Sequence, residues 1–467
     1  MLFNSEIFIL LFLPLSLGVY YALSDRVELR LWALVLASLI FYSYWDIRFL
    51  PILLGSTLGN WLIARAFARL RKFDWLPLAG VLFNVGVIAV FKYADFLTSS
   101  LAAIGGWNHD PIGIILPLGI SFFTFQHISY LMDLRRAAAR GDEVTVHGLR
   151  DYILFVAFFP HLISGPIVRH NEIIGQFHLN PMRAGLSERM SRGGVMFLAG
   201  LSKKVLIADS AARMASPLFR RVLDGGVLNL GEAWLAAHAY MLQLYFDFSG
   251  YTDMAIGMAL MFGFIIPFNF DRPHMATSIQ DFWRRWHMTL SRFLRDYVYI
   301  PLGGNRGGVW HQARNMFLTM LVGGLWHGAN WTYVVWGAMH GAGVAANILW
   351  RRAGLSMPPL LGWVCMTLFI GATWILFRTE SFSATWSIYG SLIGQNGFGG
   401  AAIGHTGNYL VLIAGTLAAL SGPSSQTAIL ERLRPWRPAG FLAGAVAVFL
   451  ILLIGGGLQS EFIYFQF

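Results

Sequence analysis

Charge is the scarcest commodity in this chain. Only 12% of its 467 residues are Asp, Glu, Lys or Arg while 56% are hydrophobic, against about 25% charged residues in an ordinary soluble domain. That balance excludes a water-soluble globular protein. No long charged or Pro/Gly/Ser-rich stretch interrupts it, so residues 1–467 read as one integral-membrane domain without linkers. The single cysteine, Cys365, rules out an intrachain disulfide framework and reads as a small apolar core residue of "LLGWVCMTLFIGATWILF". HExxH, GxSxG and paired-cysteine patterns are missing too, which removes the common zinc-protease, serine-hydrolase and structural-metal readings.

What the chain does have is apolar runs about long enough to cross the hydrocarbon core, near 7–23, 29–45, 49–64, 76–92 and 112–132. Further candidates lie near 151–167, 193–210, 234–250, 252–268, 315–333, 334–350, 360–377, 407–422 and 440–456, several of them short or broken by Gly and Pro. Because backbone facing lipid must satisfy its own hydrogen bonds, broken segments are expected to be covered by protein or to line a wet cavity. Continuous apolar runs favour helices over a β-barrel, whose lipid-facing strands alternate. The fold expected is all-α and multi-pass, with about 11 spanning helices plus re-entrant and interfacial ones. The first run has no basic n-region and no small-x-small cleavage pattern, and it reads as a retained span.

The formal charge of +10 does not point to nucleic acid, because the basic residues gather in short loops between spans. Arg65, Arg69, Arg71 and Lys72 follow the third span, and Arg135, Arg136, Arg140 and Arg150 follow the fifth. No lysine or arginine stands between Lys92 and Arg135. The positive-inside rule then places the basic loops in the cytoplasm, the neutral 94–111 loop outside, and the N-terminus outside. Membrane lipids are the expected surroundings.

One stretch is amphipathic without being a span, "SIQDFWRRWHMTLSRFLRDYVYIPLGGNRGG". As a helix over 279–297 it places Ile279, Phe282, Trp283, Trp286, Leu290, Phe293, Leu294 and Tyr297 on one arc, at about 100° per residue. Asp281, Arg284, Arg285, Arg292, Arg295 and Asp296 fall on the other, and His287 stands at the boundary. The arginines fit either anchoring at a headgroup layer or binding the phosphates of a nucleotide-like acyl donor. "PLGGNRGG" lacks the Walker spacing and reads as a turn.

Ionisable residues in apolar runs need partners. Asp247 and Asp253, in "QLYFDFSGYTDMAIGMALMFGF", suit a helix-tying network with Ser249, Tyr251 and Thr252 as partners, or a proton relay. In "GGLWHGANW", Gly323, Gly324 and Gly328 remove bulk around His327, and Trp326 and Trp331 offer apolar walls. His327 is either a satisfied structural histidine or a general base for an attacking hydroxyl. His340 in "WGAMHG" reads as a satisfied structural histidine or as a second partner for His327. A heme held by two histidines on facing spans is the rival chemistry.

Over nearly its full length the sequence resembles the membrane-bound O-acyltransferase family, in particular its branch concerned with O-acetylation of alginate. The resemblance runs through "FILLFLPLSLGVYY", "LPLGISFFTFQHISYLMDL", "LISGPIVRH" and "GLSKKVLIAD". It is densest in "LYFDFSGYTDMAIG", "FWRRWHMTLSRFLRDYVYIPLGGNRGG" and "LVGGLWHGANWTYVVWGAMHG", and "EFIYFQF" fits at the C-terminus. It implies a multi-helix enzyme around a central funnel, entered by an acyl donor from one side and an acceptor from the other. The family's characteristic membrane histidine corresponds to His327 and its companion to His287. Arg284, Arg285 and Trp326 become candidates for contacting the donor. The resemblance further implies acetyl-CoA as donor substrate, with no tightly bound cofactor and no metal, a bacterial inner-membrane location, and passage of acetyl groups to a periplasmic SGNH-type acetyltransferase that modifies an exopolysaccharide. Peptidoglycan or another glycan as acceptor, and a transporter or scaffold role, remain the alternatives.

Overall fold

A computed structural model describes residues 1–108, 110–401, 406–434, 436–457 and 461–463; the last four residues of "EFIYFQF" lie outside these. Every regular element among the described residues is a helix. Four are long and apolar enough to cross a membrane, Ile47–Arg69, Leu76–Gly105, Pro359–Thr379 and Arg437–Gly455. The other helices range from single turns to the 32-residue Leu230–Met261, and the architecture is all-α and multi-pass.

Several expected boundaries move, each for a local reason. The runs at 234–250 and 252–268 are not two spans, because Leu230–Met261 is one continuous helix. An isolated glycine costs a helix only about 1 kcal/mol, and Gly250 has a packing use: a Cβ there would lie 2.7 Å from the Gly200 carbonyl oxygen. The fourth span continues to Gly105 and stops at Gly106, which takes the left-handed cap at φ 72°. Most of the expected 94–111 loop is therefore helical. The fifth starts late, at Ile120, because Gly113 and Gly119 hold positive φ. Of the 151–167 run only Leu149–Ala157 is helical, the remainder being a buried turn through Gly165 and Pro166.

The chain packs as two compact units, each assembled from separate stretches. The first comprises Met1–Leu198, Thr252–Phe268 and Leu433–Gly444. Its least expected member is Arg30, fully buried. Its guanidinium donates to the carbonyls of Ser24, Phe177 and Leu179 at 2.8, 3.0 and 3.1 Å, which meets the requirement that a buried charge be hydrogen-bonded. Asn60 and Asn84 exchange side-chain hydrogen bonds of 3.1 and 2.6 Å between neighbouring helices. Arg135 pairs with Asp74 at 2.8 Å, tying the helix Ile120–Arg140, which takes in Arg135, Arg136 and Arg140 of the expected basic loop, to the turn before Leu76.

The second unit comprises Ala199–Tyr251, Asn269–Arg432 and Ala445–Phe467. Asp247 does find a cation here, in Lys204 of "GLSKKVLIAD" rather than in the hydroxyls beside it. The buried Lys204 ammonium lies 2.7 Å from Asp247 and 2.8 Å from Asp209. It also donates to the Glu461 carbonyl at 3.0 Å, while the Ile463 N–H donates to Asp247 at 2.9 Å. The helices Val309–His327 and Trp331–Arg352 form a tight antiparallel hairpin. At its crossing a Cβ on Gly337 would sit 2.8 Å from the Met320 carbonyl oxygen and 3.0 Å from the Gly324 Cα. Cys365 is exposed on the Pro359–Thr379 helix rather than in the core.

Candidate active site

The amphipathic stretch at 279–297 keeps the expected two faces as far as Arg295, whereas Asp296 is buried and Tyr297 half-buried, and it is not one helix. Ser278 caps the first piece through a 3.2 Å bond from the Asp281 N–H, and this piece ends at Arg285. Trp286 is extended, His287 takes φ 43°, and a second helix runs over Met288–Leu294. Hydrophobic periodicity does not register such a break, because the two faces persist through it. Residues 269–271 impose it from outside. The Asp271 N–H donates to the Arg285 carbonyl and the Met288 N–H to the Asn269 carbonyl, both at 2.9 Å. The Asn269 Oδ1 accepts from the Thr289 N–H at 3.2 Å and its hydroxyl at 2.6 Å. First-turn N–H groups, which no helix satisfies internally, thus find partners in a neighbouring segment. Those bonds hold His287 in a left-handed conformation that costs a non-glycine residue about 1–2 kcal/mol.

Both candidate histidines are buried in this unit, and both reach the same tryptophan. The His287 ring stands edge-on to Phe248 at 4.7 Å and lies 6.1 Å from the Trp326 ring. His327 ends its helix, with ring centres 4.9 Å from Trp326, 5.1 Å from Trp336 and 5.3 Å from Phe377. Trp331 is 52% exposed, so the walls are Trp336 and Phe377 instead. The three glycines give close packing rather than an open route: Gly324 meets Gly337, Gly328 meets the Tyr333 ring and Gly323 meets Leu294.

His340 is a different case. Its Nδ1 accepts from the Trp283 indole N–H at 3.2 Å and its Nε2 lies 3.1 Å from the Thr373 hydroxyl. An indole nitrogen only donates, so the proton sits on Nε2 and passes to Thr373, whose hydroxyl donates on to the Ile370 carbonyl at 3.1 Å. Both ring nitrogens are spent on structure.

The arginines separate as well. Arg285 turns back on Asp281 at 3.0 Å and on the Asp271 carbonyl at 3.4 Å, bracing the break. Arg284 is exposed. With Arg292 and Arg295 it lines a cavity of about 490 Å³ that also reaches Trp283, Met288 and Met320.

Residues 7–363 match the membrane-bound O-acyltransferase family. The chain belongs to that family. It is 43% identical over 401 residues to the probable alginate O-acetylase AlgI of Pseudomonas aeruginosa, covering 83% of this chain and 74% of that protein. The peptidoglycan O-acetyltransferase of Helicobacter pylori is 39% identical over 433 residues, covering 85% and 80%. A teichoic acid D-alanyltransferase of Streptococcus thermophilus is 30% identical over 246 residues, covering 50% and 57%.

For an O-acyltransferase the chemical content of this arrangement lies in its dryness. His287 lies between two seven-residue helices, too short to span a bilayer, and burial pushes its imidazole down to about 3. It is neutral at physiological pH, able to donate from one nitrogen and accept at the other. An imidazole walled by aromatic rings, as His327 is, can take a hydroxyl proton in a site from which bulk water is excluded. Sequence reasoning missed Asn269, Phe248, Trp336 and Phe377. Of these only Asn269 carries a signal in the sequence, a lone amide within the apolar run "FIIPFNF".

Proposed function

We propose that this O-acyltransferase takes acetyl groups from acetyl-CoA on the cytoplasmic side and passes them across a bacterial inner membrane for O-acetylation of an extracellular polysaccharide, alginate-like in chemistry. The observation that carries the reading is the convergence of His287 and His327 on Trp326 inside a buried aromatic shell, in a chain 43% identical to a probable alginate O-acetylase. The acceptor hydroxyl oxygen attacks the thioester carbonyl carbon, His327 takes the hydroxyl proton, and the CoA thiolate leaves. His287 orients the donor or shares the proton. Arg284, at the mouth of the arginine-lined cavity, is the guanidinium suited to donor phosphates, because it makes no ion pair or hydrogen bond among the described residues; Arg285 steadies the break beside it.

In this reading the chain works as a single catalytic domain, with about 11 spans around a funnel and its N-terminus in the periplasm. A separate periplasmic SGNH-type protein selects the sugar. Peptidoglycan is the second acceptor, favoured by the relative from Helicobacter pylori at 39% identity.

Purified protein given labelled acetyl-CoA and a hydroxyl acceptor should release CoA as the acetyl group is transferred, and His327→Ala should abolish release from the folded protein. Undiminished release from His327→Ala would remove that residue from the chemistry. Donor movement without thioester cleavage in the native protein would make the chain a transporter. Reconstitution with acetyl-CoA on one face, with and without the periplasmic partner, tests the division of labour; efficient polysaccharide acetylation by this chain alone would end it.

A further inference from the structure

Asn269 spends only half of its side chain. Its Oδ1 takes the Thr289 N–H at 3.2 Å and the Thr289 hydroxyl at 2.6 Å. A backbone N–H can only donate, so this contact fixes the orientation of the amide and excludes the flipped form. The Nδ2 group is therefore the half of the amide that Thr289 leaves unused. It is buried and makes no hydrogen bond among the described residues, although Asn269 is itself fully buried. Leaving a buried donor without a partner costs about 1–3 kcal/mol. Such a group in a folded protein calls for an explanation. Its location supplies one, because the same residue's carbonyl holds Met288 and its Oδ1 holds Thr289, so the amide is anchored to the turn that carries His287.

We propose that the Asn269 Nδ2–H₂ is an oxyanion donor for acyl transfer. This rests on the acyltransferase reading above and adds to it a residue that touches the reacting carbonyl. As the acceptor oxygen bonds to the thioester carbon, the C=O π pair moves onto the carbonyl oxygen and Asn269 donates to that oxygen. When the pair returns, the C–S bond breaks and CoA leaves as thiolate, and the hydroxyl proton held by the imidazole neutralises it. A donor fixed before the reaction and shielded from water needs no reorganisation as charge develops, and loss of one such donor lowers turnover on the order of 100- to 1,000-fold. The fixed amide is suited to that task because the bonds holding it use only its oxygen.

The decisive variant is Asn269→Asp assayed across about pH 5 to 9, which keeps an acceptor for Thr289 and has no donor in place of the NH₂ once the carboxyl ionises, whereas the buried protonated acid still donates. CoA release from acetyl-CoA in the presence of a hydroxyl acceptor should show kcat reduced on the order of 100-fold or more at the pH where the carboxyl is ionised and partly recovered where it is protonated, with KM for acetyl-CoA close to native. A purely structural Asn269 predicts the opposite, native turnover in Asn269→Asp, and that result overturns the proposal. If Asn269→Asp does not fold, the carbonyl stretch of ¹³C-labelled acetyl-CoA bound to His327→Ala decides, since Asn269 is then intact. A band shifted below its frequency in water supports a polarising donor. A band at or above that frequency overturns it. The two readings fail separately: full release by both His327→Ala and His287→Ala would sink the acyltransferase site, whereas normal Asn269→Asp beside an inactive His327→Ala would sink only the oxyanion donor.

Discussion

Among the three histidines closest to the chemistry, hydrogen bonding divides the roles. His340 has both nitrogens committed, to Trp283 and Thr373. His340→Ala should therefore lower stability, by about 1–3 kcal/mol for each buried partner left unsatisfied, together with the loss of ring packing against Trp336. His327→Ala should give up ring packing against Trp326, Trp336 and Phe377 and in addition show no CoA release from the protein that remains folded, whereas folded His340→Ala should keep release. Thermal melts fix the folded fraction of each preparation and the release assay separates them; equal loss of release per folded protein in both would contradict the division. His287 adds a pH signature. Burial puts its folded value at about 3, below the ordinary 6.5, so between those values the unfolded chain binds more protons and stability rises with pH. The contribution is complete above the ordinary value and is lost as pH falls toward the folded one. His287→Asn, which tolerates the left-handed backbone, should flatten the decline of the unfolding midpoint between about pH 7 and pH 4.5. An unchanged decline would mean that other groups carry it.

At the scale of elements, the helical hairpin that presents His327 depends on Gly324 and Gly337, whose missing side chains let backbones touch. A methyl on Gly337 would meet the Met320 carbonyl oxygen at 2.8 Å and the Gly324 Cα at 3.0 Å, and neither backbone atom can rotate away. Gly337→Ala should destabilise by about 1–3 kcal/mol, the usual range for overpacking, and should reduce CoA release because the helix bearing Trp326 and His327 must shift. Gly323→Ala is the control, since its methyl meets only a movable Leu294 methyl at 3.2 Å. Equal tolerance of the two in melts and release assays would show that the crossing can relax.

The same scale explains what the sequence could and could not disclose. Helical character, the buried arc of Phe282, Trp283, Trp286 and Leu290, and the family histidines were all legible in composition, periodicity and motif. The break at His287 was not, because it is enforced by Asn269 and Asp271 from a different segment, and local pattern carries no record of distant hydrogen bonds. The pairing of Lys204 with Asp247 escaped for the same reason, being separated by 43 residues. Boundaries failed where glycine plays two parts, ending a helix at Gly106 through positive φ and staying inside one at Gly250 through close packing.

For the whole molecule the open quantity is orientation, and the geometry of the first unit gives it a test. Arg65 to Lys72 and Arg135 to Arg140 were assigned to one side by charge alone. The 2.8 Å ion pair between Arg135 and Asp74 gives an independent reason for these loops to share a side, because two groups in direct contact cannot lie across a bilayer from one another. From that pair the 30-residue Leu76–Gly105 helix rises at about 1.5 Å per residue, more than the hydrocarbon thickness, so the turn at Gly106 and Trp107 emerges opposite. On the positive-inside rule the paired segments are expected in the cytoplasm, the side the proposed acetyl-CoA donor requires. Because Cys365 is exposed, the experiment starts from Cys365→Ser. Leu70→Cys and Ala139→Cys should react with a membrane-impermeant maleimide only after cells are permeabilised, and Trp107→Cys should react in intact spheroplasts. Labelling of Leu70→Cys from outside would reverse the orientation and move the donor to the wrong face. Opposite behaviour of Leu70→Cys and Ala139→Cys would break the ion-pair argument itself, leaving the direction of acyl transfer to be established by sided addition of acetyl-CoA to liposomes.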